Sequence, residues 1–356
     1  MTRTLVIDAR SCPENGSTKC SNDKIAGSRG TQVRKSYSFL LGVLLALLLA
    51  DNAGAQTQSL KVVFPSFSGA FTPLWMAHDL GLFVKHGLEV QPVFIEGGSR
   101  ATQAIVARDI DLGILSGGVI EATLAGAELT FIGTHLKTLV FSLYGPPEIR
   151  GVPDLKGKII GVTRFATPAQ YSAILALRKF GLEADRDVKL LQTGGIPNSL
   201  AAMQKGVVHA AVLTAPTTIQ ARALGYREVA DIASLGIPFI HVGVTLRKAT
   251  LRDQPRQVDA FLKGFYEATR LMKSNEALAN KITGKYTRVQ DAERLKETYQ
   301  SFAKHLALDL QVPREAIVNM MHFVVATDPR AAKAKPEEFY DNSALQRLEK
   351  AGFFKN

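Results

Sequence analysis

Cysteine is almost missing from this chain: Cys12 and Cys20 are the only two, and both precede a segment that reads as a cleaved leader. The expected mature protein therefore has no thiol, no disulfide and no cysteine-ligated metal. Long apolar runs are short of membrane length. The longest, Phe39 to Ala50, holds 12 residues, where a spanning helix needs about 20. The histidines are isolated, and none pairs with another at metal-ligand spacing, so neither a metal nor another cofactor is expected. Charge runs are also absent. Of 43 Lys and Arg against 32 Asp and Glu, seven and four fall in the first 55 residues, which leaves 36 against 28, a net charge of +8. These charges are scattered and not interleaved with aromatics, which speaks against a nucleic-acid surface and leaves anionic small ligands or solubility as the reason for the basic balance.

What is present begins with the leader. Arg34-Lys35, the apolar run and Ala53-Gly54-Ala55 follow the order of a signal peptide's basic, apolar and cleavage regions. Cleavage after Ala55 sets the mature start near Gln56, and no lipid-acceptor cysteine stands there. Residues 1–32 are polar, mixed in charge and unlike any part of a signal peptide, so translation is expected to start later, with Val33 the candidate initiator. The expected location is the periplasm.

About 300 mature residues can bury a large core and usually divide into two lobes. Leu60 to Phe64 reads as a strand, Pro73 to His86 as a helix, and Leu88 to Ile95 as the next strand. A helix from Gly97-Gly98-Ser99 to Ala107 follows. Next come a strand at Leu112 to Leu115 and a further helix opened by Ser116-Gly117-Gly118. This alternation predicts an α/β architecture of parallel, doubly wound sheets. The same grammar returns 98 residues later: Val62-Val63-Phe64 is echoed at Ile160-Gly161-Val162, Gly97 at Gly195, and Ala104 to Ser116 at Ala202 to Thr214. Two unrelated βαβ units would share some of this, but order and spacing coincide throughout. The chain is expected to form two lobes joined by two crossover segments: lobe one from 56–147 plus 245–356, lobe two from 148–244. The break after Tyr144 rests on Pro146-Pro147. From Pro255 onward the pattern is helical, with Val258, Phe261, Leu262, Phe265, Leu271 and Met272 on one face, and further helices at Asp291 to Leu306 and Arg314 to Thr327. This tail is expected to pack on lobe one.

Several segments carry a family resemblance: Ala70 to Phe83, which includes Thr72-Pro73-Leu74-Trp75, then His86 to Val90, Gly97 to Arg100, Ala107 to Asp111, and Asp154 to Val162. In these the chain resembles the nitrate/sulfonate/taurine-type substrate-binding proteins of ABC importers, a family that includes thiamine-precursor binders. The resemblance implies a type II periplasmic-binding-protein-like fold, closure of two lobes on a small molecule, no catalysis, and delivery to an ABC permease by a monomer. His209 and Thr214-Ala215-Pro216 depart from the family pattern, where an acidic residue and an aromatic-acidic pair are usual. Fungal pyrimidine-precursor synthases share the resemblance, but their cysteine-rich iron motif is missing here. A sensory receptor is the other alternative.

In doubly wound sheets the ligand crevice lies beyond the carboxyl ends of the strands. Four loops there combine small residues with hydroxyls: Ser66-Phe67-Ser68, Ser116-Gly117-Gly118, Arg164-Phe165 with Thr167, and Thr214-Ala215. Ligand contacts are expected from these residues and from Phe71, with Arg164 as a bidentate anion grip and Phe67, Phe71 and Phe165 as aromatic walls. The same residue types also serve as ordinary helix caps, surface arginines and core aromatics. Trp75 is expected in the core, and the lone His209 and His241 are expected to be buried or on the surface.

Overall fold

The computed structural model describes residues 58–355; the leader, the Ala53-Gly54-Ala55 cleavage site and both cysteines lie outside the described residues. Strand β1 (Gln58–Phe64) leads into helices α1 (Thr72–Asp79) and α2 (Leu82–Lys85), then β2 (Leu88–Phe94), α3 (Gly98–Val106), β3 (Leu112–Leu115), α4 (Val119–Leu124) and β4 (Leu129–Thr138). The chain crosses over to β5 (Ser142–Gly145) and continues as β6 (Ile159–Val162), α5 (Pro168–Lys179), β7 (Lys189–Gln192), α6 (Ile196–Gln204), β8 (Ala210–Leu213), α7 (Thr217–Ala223) and β9 (Arg227–Asp231). It returns as β10 (Pro238–Arg247). The helices α8 (Lys248–Asp253), α9 (Pro255–Ser274), α10 (Glu276–Thr287), α11 (Ala292–Ala303), α12 (Arg314–Val324) and α13 (Ser343–Lys350) complete it.

The first sheet has the order β2-β1-β3-β10-β4 and the second β7-β6-β8-β5-β9. Shifting the first by 98 residues lays α3 on α6 and β3 on β8, end to end. The pairs Val62↔Leu112 and Val63↔Gly113 become Ile160↔Ala210 and Gly161↔Ala211. The sequence echo is thus one topology used twice. In each sheet three parallel strands meet an antiparallel one, β10 or β5, which has come from the other half of the chain. The sheets are mixed where the sequence pattern predicts parallel strands throughout, because each lobe takes one strand from a crossing segment.

Those crossings fall at 139–141 and 232–237. β5 belongs to the second sheet and β10 to the first, so the sheet boundaries lie several residues before the expected 147/148 and 244/245 breaks. Pro146-Pro147 ends a strand that is already in the second lobe. The helix expected over 73–86 is also broken, because Gly81 adopts φ +65 and separates α1 from α2. A left-handed residue cannot continue a right-handed helix.

Packing follows burial. Val62, Val63, Leu112 and Ile114 of the central strands are sealed from solvent, as strands covered on both faces require. Pro255 starts α9, and its Val258, Phe261, Leu262, Phe265 and Met272 are buried, with Phe261 stacked 5.0 Å from Phe83. Each such aromatic contributes about 2–3 kcal/mol of burial, which holds the helical C-terminal region onto lobe one. Among the described residues no helix is long and apolar enough to cross a membrane.

Candidate functional site

Loops at the carboxyl ends of the strands from both sheets enclose a narrow cavity of about 60 Å³. Lobe one contributes Ser66, Ser68, Phe71, Gly97, Gly98 and Ser116-Gly117. Lobe two contributes Thr163, Thr167, Gly194-Gly195-Ile196 and Thr214, the first crossing adds Phe141, and β10 adds His241. Among the described residues, no Lys, Arg, Asp or Glu lines it.

Its polarity comes from helix starts. Helix α3 begins at Gly97-Gly98, α5 follows Thr167 with Pro168 in its first turn, and α6 opens at Gly195. The first N–H groups of a helix lack intrahelical partners and carry the positive end of the helix dipole. Two lobes therefore aim three such ends at one cavity, a combination suited to an anion.

The hydroxyls are held in place. Thr167 Oγ1 donates to Arg164 O at 2.7 Å and lies 3.2 Å from Thr163 Oγ1. Ala166, at φ +55, turns this loop. The N–H groups of Phe165 and Ala166 donate to Gln192 and Gln170 at 3.0 and 2.7 Å. Ser116 Oγ donates to His241 O at 3.1 Å. Thr214 Oγ1 is buried and has no hydrogen-bond partner among the described residues, which makes it the lining group most in need of one.

His241 is the one histidine among the described lining residues. Burial, reinforced by the charges of His135 and His305, pushes its pKa down to about 3, so it stays neutral. Its Nδ1 accepts the Val140 N–H at 3.0 Å, which leaves the ring proton on Nε2. His241 thus combines the expected burial with a place in the cavity lining.

The cleft is closed. Asn198 Nδ2 donates to Glu96 Oε1 at 3.0 Å, Ser99 Oγ to Phe165 O at 3.0 Å, and Tyr171 OH to Glu121 Oε1 at 3.0 Å, each joining one lobe to the other. A Cβ on Gly117 would stand 2.8 Å from Ala166 O, so glycine permits this approach.

Of the twelve residues expected from sequence, seven line the cavity: Ser66, Ser68, Phe71, Ser116, Gly117, Thr167 and Thr214. Five do not. Arg164 is not among the lining residues: it reaches across to Gly97, where an added Cβ would meet its Nε at 2.3 Å, and that Nε is buried with no hydrogen-bond partner among the described residues. Phe165 is 42% exposed on the rim. Phe67, equally exposed, faces an outer groove. Gly118 is the left-handed cap of α4, and Ala215 borders a separate polar cavity behind Thr214. Trp75 is fully buried, as expected, and His209 Nδ1 accepts the Ile159 N–H at 3.2 Å.

Sequence reasoning missed Gly97-Gly98 and Gly194-Gly195-Ile196 as lining residues. The 98-residue echo could have found them, since it pairs Gly97 with Gly195 just as it pairs Ser116 with Thr214.

A protein-family model described as NMT1/THI5 like matches residues 68–277. The chain belongs to the NMT1/THI5-like family. The NMT1/THI5-like segment carries every cavity-lining residue except Pro65 and Ser66. No curated protein matches the chain in sequence. In structure it is similar to the alkanesulfonate-binding protein SsuA from Xanthomonas axonopodis pv. citri bound to MOPS, with a TM-score of 0.65 and 20% identity over 78% of this chain and 95% of that one. It is also similar to the periplasmic nitrate-binding protein NrtA from Synechocystis PCC 6803, with a TM-score of 0.66 and 10% identity over 83% and 89%. The periplasmic aliphatic sulphonate binding protein SsuA from Escherichia coli matches at 0.62, with 19% identity over 81% and 91%. At these identities the shared property is the fold: this NMT1/THI5-like chain has the two-lobed architecture of periplasmic binding proteins.

Proposed function

We propose that this protein is an exported, monomeric receptor that closes its two lobes on a small anionic ligand and delivers it to an ABC permease. The observation that carries the reading is the cavity itself. Three helix starts from two lobes converge on it, Thr214 offers a hydroxyl with no partner among the described residues, and none of the described lining side chains is charged. Fixed N–H and O–H dipoles hold an oxyanion strongly yet reversibly, as a carrier must. Ligand contacts to both lobes stabilise the closed arrangement, which the permease distinguishes from the open one. The structural neighbours that bind sulfonates and nitrate support an anion.

Binding is favoured over catalysis by the titratable inventory. A general acid or base works best with a pKa near ambient pH, whereas His241 sits at about 3 with Nδ1 already engaged. Native mass spectrometry of the protein extracted from the periplasm under non-denaturing conditions tests the reading. The expected spectrum shows a polypeptide beginning at Gln56 that releases a small anion on activation. A full-length chain retained in the cytoplasm, or a co-purifying cationic or neutral solute, contradicts it.

A further inference from the structure

Beside the cavity lies a larger groove of about 430 Å³. Three loops line both: Ser66 and Ser68 face the cavity and Phe67 the groove, Ile196 the cavity and Pro197 the groove, and Thr214 the cavity while Pro216-Thr217, just past Ala215, face the groove. The two spaces are therefore neighbours along the same three loop tips.

The groove's chemistry differs from the cavity's. Its floor is aromatic and preformed. Tyr286 stacks on Trp75 at 4.7 Å with parallel rings, Phe67 stacks on the same Trp75 at 6.2 Å, and Phe67 also meets Phe94 at 4.5 Å. Tyr286 OH donates to Asp79 Oδ1 at 2.9 Å, which fixes its ring. Phe67 remains 42% exposed, with open aromatic surface beside an anion-suited cavity. Pro197, Pro216 and Val289 continue the apolar wall. At the groove's other side stand Arg288 and Arg294. Among the described residues neither guanidinium makes an ion pair or a side-chain hydrogen bond, and no carboxylate lines the groove.

We infer that this groove is an outer subsite of the same cleft, and that the ligand is an aromatic dianion: one anionic head in the cavity, an aromatic body over Phe67 and Tyr286, and a second anionic group paired with Arg288 and Arg294. The inference rests on the reading that the cavity takes an anion. A planar body gains offset stacking on a rigid aromatic floor without ordering loose side chains. Guanidinium groups without protein partners pair with a carboxylate or sulfonate in bidentate geometry.

Calorimetric titration with ethanesulfonate, naphthalene monosulfonate and naphthalene disulfonate, on the unaltered protein and on the Arg288→Ala/Arg294→Ala variant, tests it. The unaltered protein should bind the disulfonate about tenfold tighter than the monosulfonate. The double variant should lose that preference and keep its ethanesulfonate affinity within about twofold, which also shows that it folds. A Phe67→Ala variant should weaken both naphthalene compounds and leave ethanesulfonate unchanged. Equal affinity for the two naphthalene compounds in the unaltered protein, or a preference that survives in the double variant, overturns the dianion while ethanesulfonate binding keeps the receptor reading intact. Failure of all three to bind overturns both.

Discussion

Asn198 and Glu96 are 102 positions apart in the chain, yet the Asn198 amide donates to the Glu96 carboxylate at 3.0 Å across the mouth of the cleft. Each residue belongs to the loop-and-helix start of its own lobe, so this bond exists only when the lobes meet. It reports closure.

Asn198→Ala removes that bond without touching the cavity. One exposed hydrogen bond is worth about 0.5–1.5 kcal/mol, so ligand affinity should fall roughly two- to tenfold, while the melting temperature of the unliganded protein changes little. Calorimetry and thermal unfolding of the same preparation check both expectations.

Gly117→Ala acts on the same closure by sterics. The added methyl carbon would lie 2.8 Å from Ala166 O and 2.9 Å from Thr167 Cγ2, both in the other lobe. Overpacking of this kind costs about 1–3 kcal/mol. An open cleft escapes the clash, so ligand binding should weaken by roughly tenfold or more with a larger radius of gyration in X-ray scattering. Unchanged affinity would mean that the lobes need not approach this closely.

Acid should destabilise the fold through two buried histidines. Burial pushes His135 down from 6.5 to about 4, partly offset by its bond to Ala70 O, and burial followed by His135 and His305 pushes His241 down to about 3. The unfolded chain takes up these protons first, as pH falls below about 6.5. The stability contribution is therefore full above that pH and is lost on the way down toward pH 4 and 3. Each histidine adds about 1.4 kcal/mol of loss per pH unit in this window. His135→Gln retains a donor for Ala70 O and should make the decline in stability between pH 6 and 4 shallower by about that slope, as read from denaturant unfolding at several pH values.

Gly264→Ala tests the seat of the C-terminal helices. A Cβ there would stand 2.8 Å from Phe83 Cδ1 and 3.1 Å from the Leu82 backbone, and backbone cannot yield as a side chain can. Denaturant unfolding should show a loss of about 1–3 kcal/mol, with ligand affinity per folded molecule unchanged because the cavity is remote.

Much of this was legible in the sequence because strand-helix alternation and the 98-residue echo are local patterns. The echo even carries the shared strand order, since Val62 and Ile160 occupy corresponding central strands. What escaped was non-local. The chain around β5 and β10 read as breaks between lobes, and only tertiary pairing shows that each is a strand joining the sheet of the other half. The sequence placed Arg164 at the crevice but did not show that its stem would lie against Gly97 of the other lobe, outside the cavity lining. His241 is buried as its isolation suggested, yet no spacing rule could place it against the cavity or assign its proton, because Val140 does so from a different strand connection.

A small anion is proposed to bind in a closed cleft of helix starts and hydroxyls whose described lining holds no charged side chain. Calorimetric titration of residues 56–356 with nitrate, ethanesulfonate and an aromatic sulfonate, alongside the Thr214→Val variant, tests it most directly. The account predicts one-to-one binding of at least one of these anions. It also predicts a loss of roughly ten- to a hundredfold on removing the Thr214 hydroxyl, the value of a hydrogen bond to a charged group. Binding confined to neutral or cationic solutes, or anion binding indifferent to Thr214, would contradict it.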